Sequence, residues 1–120
     1  MGNTVWILSD SQDSDNWDHT LLLNFEKSLN KLSKEIGVAK ISDFYDNSIL
    51  AEEFGGEIEP LFTDPCELEK VLTSLIFAIK NGRSEKLKNE PEIIEELEDC
   101  LSKVVSAKNN GEKVRVAIVP

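Results

Sequence analysis

The sequence predicts an α+β (or α/β) domain that is mostly helical, with a small central sheet formed by its N- and C-terminal strands. Two observations support this prediction. Short apolar runs lie near the two ends of the chain, at residues 5–8 and 113–119. Between them, three long stretches carry apolar residues at helical spacing. The 120 residues fit a single domain, 1–120, that can bury a core without metal or disulfide support.

Both predicted strands are apolar on their two faces, as is typical of strands in the interior of a sheet. The first strand occupies residues 5–8, and the second, residues 113–119, is rich in β-branched side chains apart from Arg115. We therefore expect the two strands to be central and to lie next to each other.

Three main helices are predicted between the strands, each with an apolar stripe on one face. They span about His19–Ile36, Pro65–Asn81 and Pro91–Asn109. Gly37, Gly82 and Gly111 follow the three ends, where a left-handed residue favours termination. Asp64 and Pro65 form a start signal for the second helix, with the aspartate as cap and the proline at the first helical position.

The remaining segments give weaker patterns. Apolar residues between Lys40 and Thr63 predict a packed segment; they are Ile41, Phe44, Tyr45, Ile49, Leu50 and Phe54. Within it, Asp46–Phe54 reads as a short helix closed by two glycines, and Ile58–Thr63 as extended or looped chain. Residues 82–90 read as a polar connection.

The composition is acidic, with 23 Asp and Glu against 13 Lys and Arg and a formal net charge of −10. Binding to phosphate backbones requires clustered basic residues, and the chain has only two arginines. We therefore expect neither nucleic acid nor an anionic membrane as a partner. The chain begins without the basic and apolar pattern of a signal peptide, which predicts a cytoplasmic protein.

The acidic residues are concentrated in residues 41–69, which contain nine carboxylates and no lysine or arginine. Such a one-sign field steers a cationic protein towards the surface, as in acidic inhibitors and immunity-type proteins. The predicted partner-binding residues are Trp17, Asp43, Tyr45, Asp46, Glu52, Glu53, Glu57 and Glu59. In the alternative interpretation, the charge only keeps the protein soluble and monomeric, and the aromatic residues 44–45 pin the segment to the core.

The aspartate-rich stretch 10–19 follows the first strand and is a candidate cation site. Its candidate ligands are Asp10, Asp13, Asp15 and Asp18. The spacing does not follow the calcium-loop pattern, because Trp17 and Asp18 occupy positions where a ligand and a glycine belong. A solvated loop with helix-capping residues is the alternative. His19 has no orienting partner nearby in sequence, so we expect a surface or first-turn histidine rather than a general base.

No catalytic motif, phosphate loop or zinc spacing is present in the sequence, and no cofactor is indicated. Cys100 is predicted to be buried, and Cys66 to be an ordinary residue in a helix first turn. The function predicted is a non-catalytic protein-binding module with a basic partner. Two alternatives stay open: a divalent-cation or small-ligand protein, which could be an enzyme, and a structural or self-associating module. The sequence does not fix the oligomeric state.

Overall fold

The computed structural model describes residues 3–9 and 18–120. It has an α+β fold that is 59% helical with a three-stranded mixed sheet, which confirms the predicted fold class. The strands are β1 (Thr4–Ser9), β2 (Tyr45–Asp46) and β3 (Val114–Val119). They are arranged in the order β1-β3-β2, with β1 antiparallel and β2 parallel to β3.

The two terminal strands are neighbours, as predicted, and the register pairs Thr4 with Val119 and Ser9 with Val114. The prediction that both strands are central is correct for β3, which has a strand on both sides, and wrong for β1, which is an edge strand within the described part of the chain. Helices and not a further strand supply the burial of β1, through contacts with α1 and α6. Outside the three strands, Thr63 forms an isolated antiparallel bridge with Val114 of β3. The sequence did not indicate β2, since two residues are too few to show an alternating pattern.

The helices pack mainly on one face of the sheet. They are α1 (Thr20–Asn24), α2 (Glu26–Ile36), α3 (Ser48–Glu53), α4 (Pro65–Lys80), α5 (Glu85–Lys88) and α6 (Pro91–Asn109), with a 3₁₀ turn at Ile41–Phe44. The bounds of α4 and α6 agree closely with the predicted helices. The first predicted helix is divided at Phe25, whose backbone lies at φ −110° and ψ 21°. Leucines of both parts, Leu22 and Leu29, are fully buried.

The capping and terminating residues predicted from the sequence are found at the helix ends. The Asp64 side chain accepts a hydrogen bond from the Cys66 backbone N–H at 2.9 Å, and Pro65 is the first residue of α4. Gly37 and Gly82 follow helices with φ of 77° and 75°. The predicted polar connection 82–90 instead contains α5, which buries one leucine; a four-residue helix offers no periodicity to detect.

The core lies between the sheet and the long helices α4 and α6. The sheet face that enters it carries Val5, Ile7, Val116 and Ile118, and Cys100 of α6 is buried there as predicted. The opposite face carries Arg115 and is approached by α3. Among the described residues, no helix combines the length and apolar character needed to cross a membrane.

Candidate functional site

Asp46 organises the acidic part of the chain from a buried position at the end of β2, with only 1% of its surface exposed. Its Oδ1 accepts hydrogen bonds from the backbone N–H groups of Ser48 at 3.0 Å and Leu61 at 3.2 Å. Its Oδ2 accepts from the Ser48 hydroxyl at 3.0 Å and pairs with Arg115 Nη1 at 3.2 Å. A buried carboxylate is stable when its oxygens are bonded in this way. Asp46 therefore holds the surrounding backbone and does not present its charge to solvent.

The residues that follow the exposed glutamates in sequence are fixed to β3. Thr63 and Val114 exchange two backbone hydrogen bonds, of 2.7 and 3.1 Å. The Arg115 guanidinium lies over the Phe62 ring, 5.7 Å from its centroid. The loop has no regular secondary structure between Gly56 and Phe62, in agreement with the prediction, but it is anchored.

Residues 52–62 form the acidic–apolar segment, in which every residue is exposed. Its carboxylates are Glu52, Glu53, Glu57 and Glu59. Four large apolar side chains are also exposed: Phe54 by 84%, Ile58 by 57%, Leu61 by 46% and Phe62 by 44%. The prediction that Phe54 is packed was wrong. Large contiguous apolar patches on a folded protein mark interaction sites, and four exposed apolar side chains within one short segment are candidates for such a patch.

The predicted aromatic anchor Tyr45 faces the core. Its side chain packs against the core together with Phe44, and burial raises the pKa of the Tyr45 phenol above its usual range. Its hydroxyl has no hydrogen-bond partner in the part of the chain that the structure describes. The geometry thus fits the alternative in which these two aromatics pin the acidic region. Asp43, in the 3₁₀ turn, is exposed.

The aspartate-rich stretch falls largely outside the described residues. Trp17, Asp10, Asp13 and Asp15 all lie there, so their predicted roles stay predictions. Asp18 is described; it is exposed and accepts a hydrogen bond from Trp6 Nε1 at 2.7 Å. Within residues 3–9 and 18–120, no three His, Cys, Asp or Glu side chains are grouped so that they could hold a metal ion.

His19 was expected to be a surface or first-turn histidine; it is the N-cap residue of α1 but is fully buried, so the expectation of surface exposure was wrong. Its Nδ1 donates to the Val5 carbonyl at 2.8 Å, and its Nε2 lies 2.7 Å from Asp99 Oδ2. Lys103 Nζ approaches the same Asp99 oxygen at 3.3 Å. The ring therefore ties β1 to α6. No local pattern indicates this contact, because Asp99 lies 80 residues away along the chain.

Near the His19–Asp99 contact, Glu96 caps the start of α1 by accepting a hydrogen bond from the Leu21 backbone N–H at 3.1 Å. Burial raises the pKa of the Glu96 carboxyl, and the nearby His19 ring and backbone N–H groups offset only part of that rise. The folded protein therefore holds this proton more tightly than the unfolded chain does. Ionisation of Glu96 disfavours the fold as pH rises: the penalty is absent below the ordinary carboxyl pKa and complete above the raised pKa of the folded protein.

We expect Glu96→Gln to stabilise the fold relative to wild type at pH 7, and to have a smaller effect at pH 4. The amide oxygen can still accept from Leu21, while the cost of burying a charge is removed. Urea unfolding of both proteins at the two pH values measures the difference. The exposed Glu95→Gln on the same helix serves as the control. A Glu96→Gln variant that is less stable than wild type at pH 7 would contradict this sign.

Comparison of the chain with protein-family models, with curated proteins and with solved structures finds no match. The chemistry of the described surface therefore has to support any functional proposal. The acidic–apolar segment offers two things at once: apolar side chains that gain free energy when a partner covers them, and carboxylates that attract cations. Sequence reasoning found the carboxylates but missed the apolar half, because large apolar residues are ordinarily expected inside.

Proposed function

We propose that the protein is a binding module whose acidic–apolar segment, residues 52–62, docks onto a basic surface of a partner protein. The observation that carries this proposal is the exposure of Phe54, Ile58, Leu61 and Phe62 beside four exposed glutamates. Neither half would suffice alone. Carboxylates on a surface commonly serve solubility, but they do not explain four solvent-exposed apolar side chains in the same segment.

The apolar side chains supply affinity. Covering one phenylalanine or isoleucine with a partner is worth about 1.5–3 kcal/mol before the cost of association is subtracted. Phe54 has the most to gain because it is 84% exposed. Aromatic side chains that become fully covered at the centre of an interface are frequent hot spots. Phe54 is therefore the proposed principal anchor.

The carboxylates supply selectivity and association rate. Residues 41–69 contain no lysine or arginine, and Arg115, which reaches this region, is paired with the buried Asp46. None of the ion pairs among the described residues involves Glu52, Glu53, Glu57 or Glu59, so their charge is available to a cationic partner. Electrostatic steering of this kind raises association rates and weakens as salt increases.

The anchors at both sides of the segment lower the cost of binding. Leu61 is bonded to Asp46, and Thr63 is paired with Val114. On the other side, α3 ends at Glu53 and leads directly into Phe54. A segment that is already held in place loses less conformational entropy when it binds than a disordered tail does.

The proposal is tested by capture of partners from the source cells followed by affinity measurement with the purified partner. We expect a captured protein with a basic surface, and a loss of affinity of about tenfold or more for Phe54→Ala. Glu95→Ala, an exposed truncation on α6, is the control and should bind like wild type. Equal affinity of Phe54→Ala and wild type, measured by surface plasmon resonance, would refute the role of the segment.

A further inference from the structure

A second surface, on which cationic side chains outnumber carboxylates, lies between α2 and α5. It surrounds a cavity of about 350 Å³ lined by three cationic side chains, Lys31, Arg83 and Lys86. Two carboxylates, Glu35 and Glu85, line the same cavity, so its lining carries one net positive charge. Three cations around one cavity are notable in a chain with only 13 lysines and arginines and a net charge of −10.

A second, more apolar cavity shares one lining residue, Arg83, with the first. This second cavity, of about 250 Å³, is lined in part by Ile36, Phe77 and Ala78. Phe77 is 70% exposed although it belongs to the most apolar helix, α4. We call the two cavities together the α2–α5 groove; it has a basic end and an apolar end.

The three cationic side chains of the groove are available to pair with an anionic ligand. None of the ion pairs formed among the described residues involves Lys31, Arg83 or Lys86. The Lys86 ammonium lies 5.8 Å from the centre of the Phe25 ring, a contact that leaves its positive charge unneutralised. An occupant that suits this groove brings carboxylates for the basic end and an aromatic or aliphatic side chain for the apolar end.

We propose that the occupant is the acidic–apolar segment of a second copy of this chain. In this arrangement Glu57 and Glu59 face the cations of the groove, while apolar side chains of the segment cover Phe77. The inference rests on the proposed function, because the same segment does the binding, and it adds a second binding site. Self-association then covers the segment until a partner with a basic surface competes for it.

The positions along α4 favour a contact between copies. Phe62 lies three residues before α4 and Arg83 three residues after it, so the anchored end of the segment and the Arg83 side of the groove lie near opposite ends of that helix. Its 16 residues span about 24 Å at 1.5 Å per residue. A surface at one end of the molecule that fits a surface at the other makes a head-to-tail contact, which extends into short chains or closes into a ring.

The association is expected to be weak. Each contact involves one short segment and one shallow groove, which places the dissociation constant between about 1 μM and 1 mM. The net charge of −10 opposes association, but at physiological ionic strength charges are screened beyond about 8 Å. Contacts within the groove are therefore favoured over the repulsion between whole molecules.

Sedimentation velocity of the purified chain, between about 5 and 500 μM around the expected constant, tests the proposal. We expect the weight-average sedimentation coefficient to rise with concentration for the wild type. Two charge-reversed variants, Lys31→Glu/Arg83→Glu and Glu57→Lys/Glu59→Lys, should each remain monomeric. Glu92→Lys/Glu95→Lys, a matched reversal of two exposed residues on α6, should associate like wild type.

Mixing the two monomeric variants gives the decisive result. In the mixture each groove meets a segment of opposite charge, so association should return, which also shows that both variants are folded. A wild type that stays monomeric at every concentration, or a mixture that stays monomeric, overturns the inference. The proposed function is tested separately: at chain concentrations well below the self-association constant, the groove variant should bind a captured basic partner as tightly as wild type does, whereas Phe54→Ala should not.

Discussion

Asp46→Ala is expected to lower the free energy of unfolding by about 3–4 kcal/mol, a large share of the stability of a domain this size. The substitution removes four hydrogen bonds made by one carboxylate that is 1% exposed. It also leaves the partly buried Arg115 without its counter-charge, at a position where only 23% of the side chain is exposed. Denaturation in urea at neutral pH measures the loss.

Two further variants separate the charge from the hydrogen bonds. Asp46→Asn keeps an oxygen for the backbone N–H groups of Ser48 and Leu61 but loses the ion pair, so we expect about half of the alanine effect. Asp46→Ala combined with Arg115→Met should cost less than the sum of the single substitutions, because no unpaired charge remains. If the free energies of unfolding of Asp46→Ala and wild type differ by less than about 0.5 kcal/mol, the ion pair and the hydrogen bonds of Asp46 do not stabilise the fold as inferred.

Reversing the four glutamates of the acidic–apolar segment to lysine is expected to weaken binding of a basic partner by about 100-fold or more. The change converts electrostatic attraction into repulsion, so most of the loss of affinity should appear as a slower association rate. The loss should become smaller as the salt concentration is raised. Glu52, Glu53, Glu57 and Glu59 are all exposed, and stability should change by no more than about 0.5 kcal/mol.

The control for this variant reverses exposed glutamates outside residues 41–69. Glu92, Glu95 and Glu98 are exposed residues of α6, and reversing them should leave the affinity within a few-fold of wild type. Surface plasmon resonance with the captured partner compares the two. Equal losses in both variants would mean that net charge, and not residues 52–62, governs the binding.

The elements that the sequence predicted correctly are those defined by local physics. The stripe and proline start of α6, and the Asp64 cap of α4, are contained within the helices themselves, so periodicity and capping preferences suffice to locate them. The pairing of β1 with β3 was also inferred, because both are continuous apolar runs that need a buried position.

What the sequence could not reveal depends on contacts between distant residues. Asp46 meets Arg115 across 69 positions, and His19 meets Asp99 across 80. In the sequence, Asp46 is one of nine carboxylates in residues 41–69, and no local pattern distinguishes it from the others. Only the fold shows that Asp46 is buried while the four glutamates of the segment are exposed. Exposure of Phe54 and Ile58 was missed for a similar reason, since burial is the default expectation for such side chains.

The position of β3 in the sheet has a consequence for the order of events during synthesis. β3 is the partner of both β1 and β2, and it is the last of the described elements to be made. While the preceding residues emerge from the ribosome, neither of the other strands has the neighbour to which it bonds in the finished sheet. The two β3 residues that hold the acidic–apolar segment, Val114 and Arg115, also arrive late. A nascent chain therefore carries the segment but cannot yet present it in its fully anchored form, so the proposed recognition by a partner would require a completed sheet.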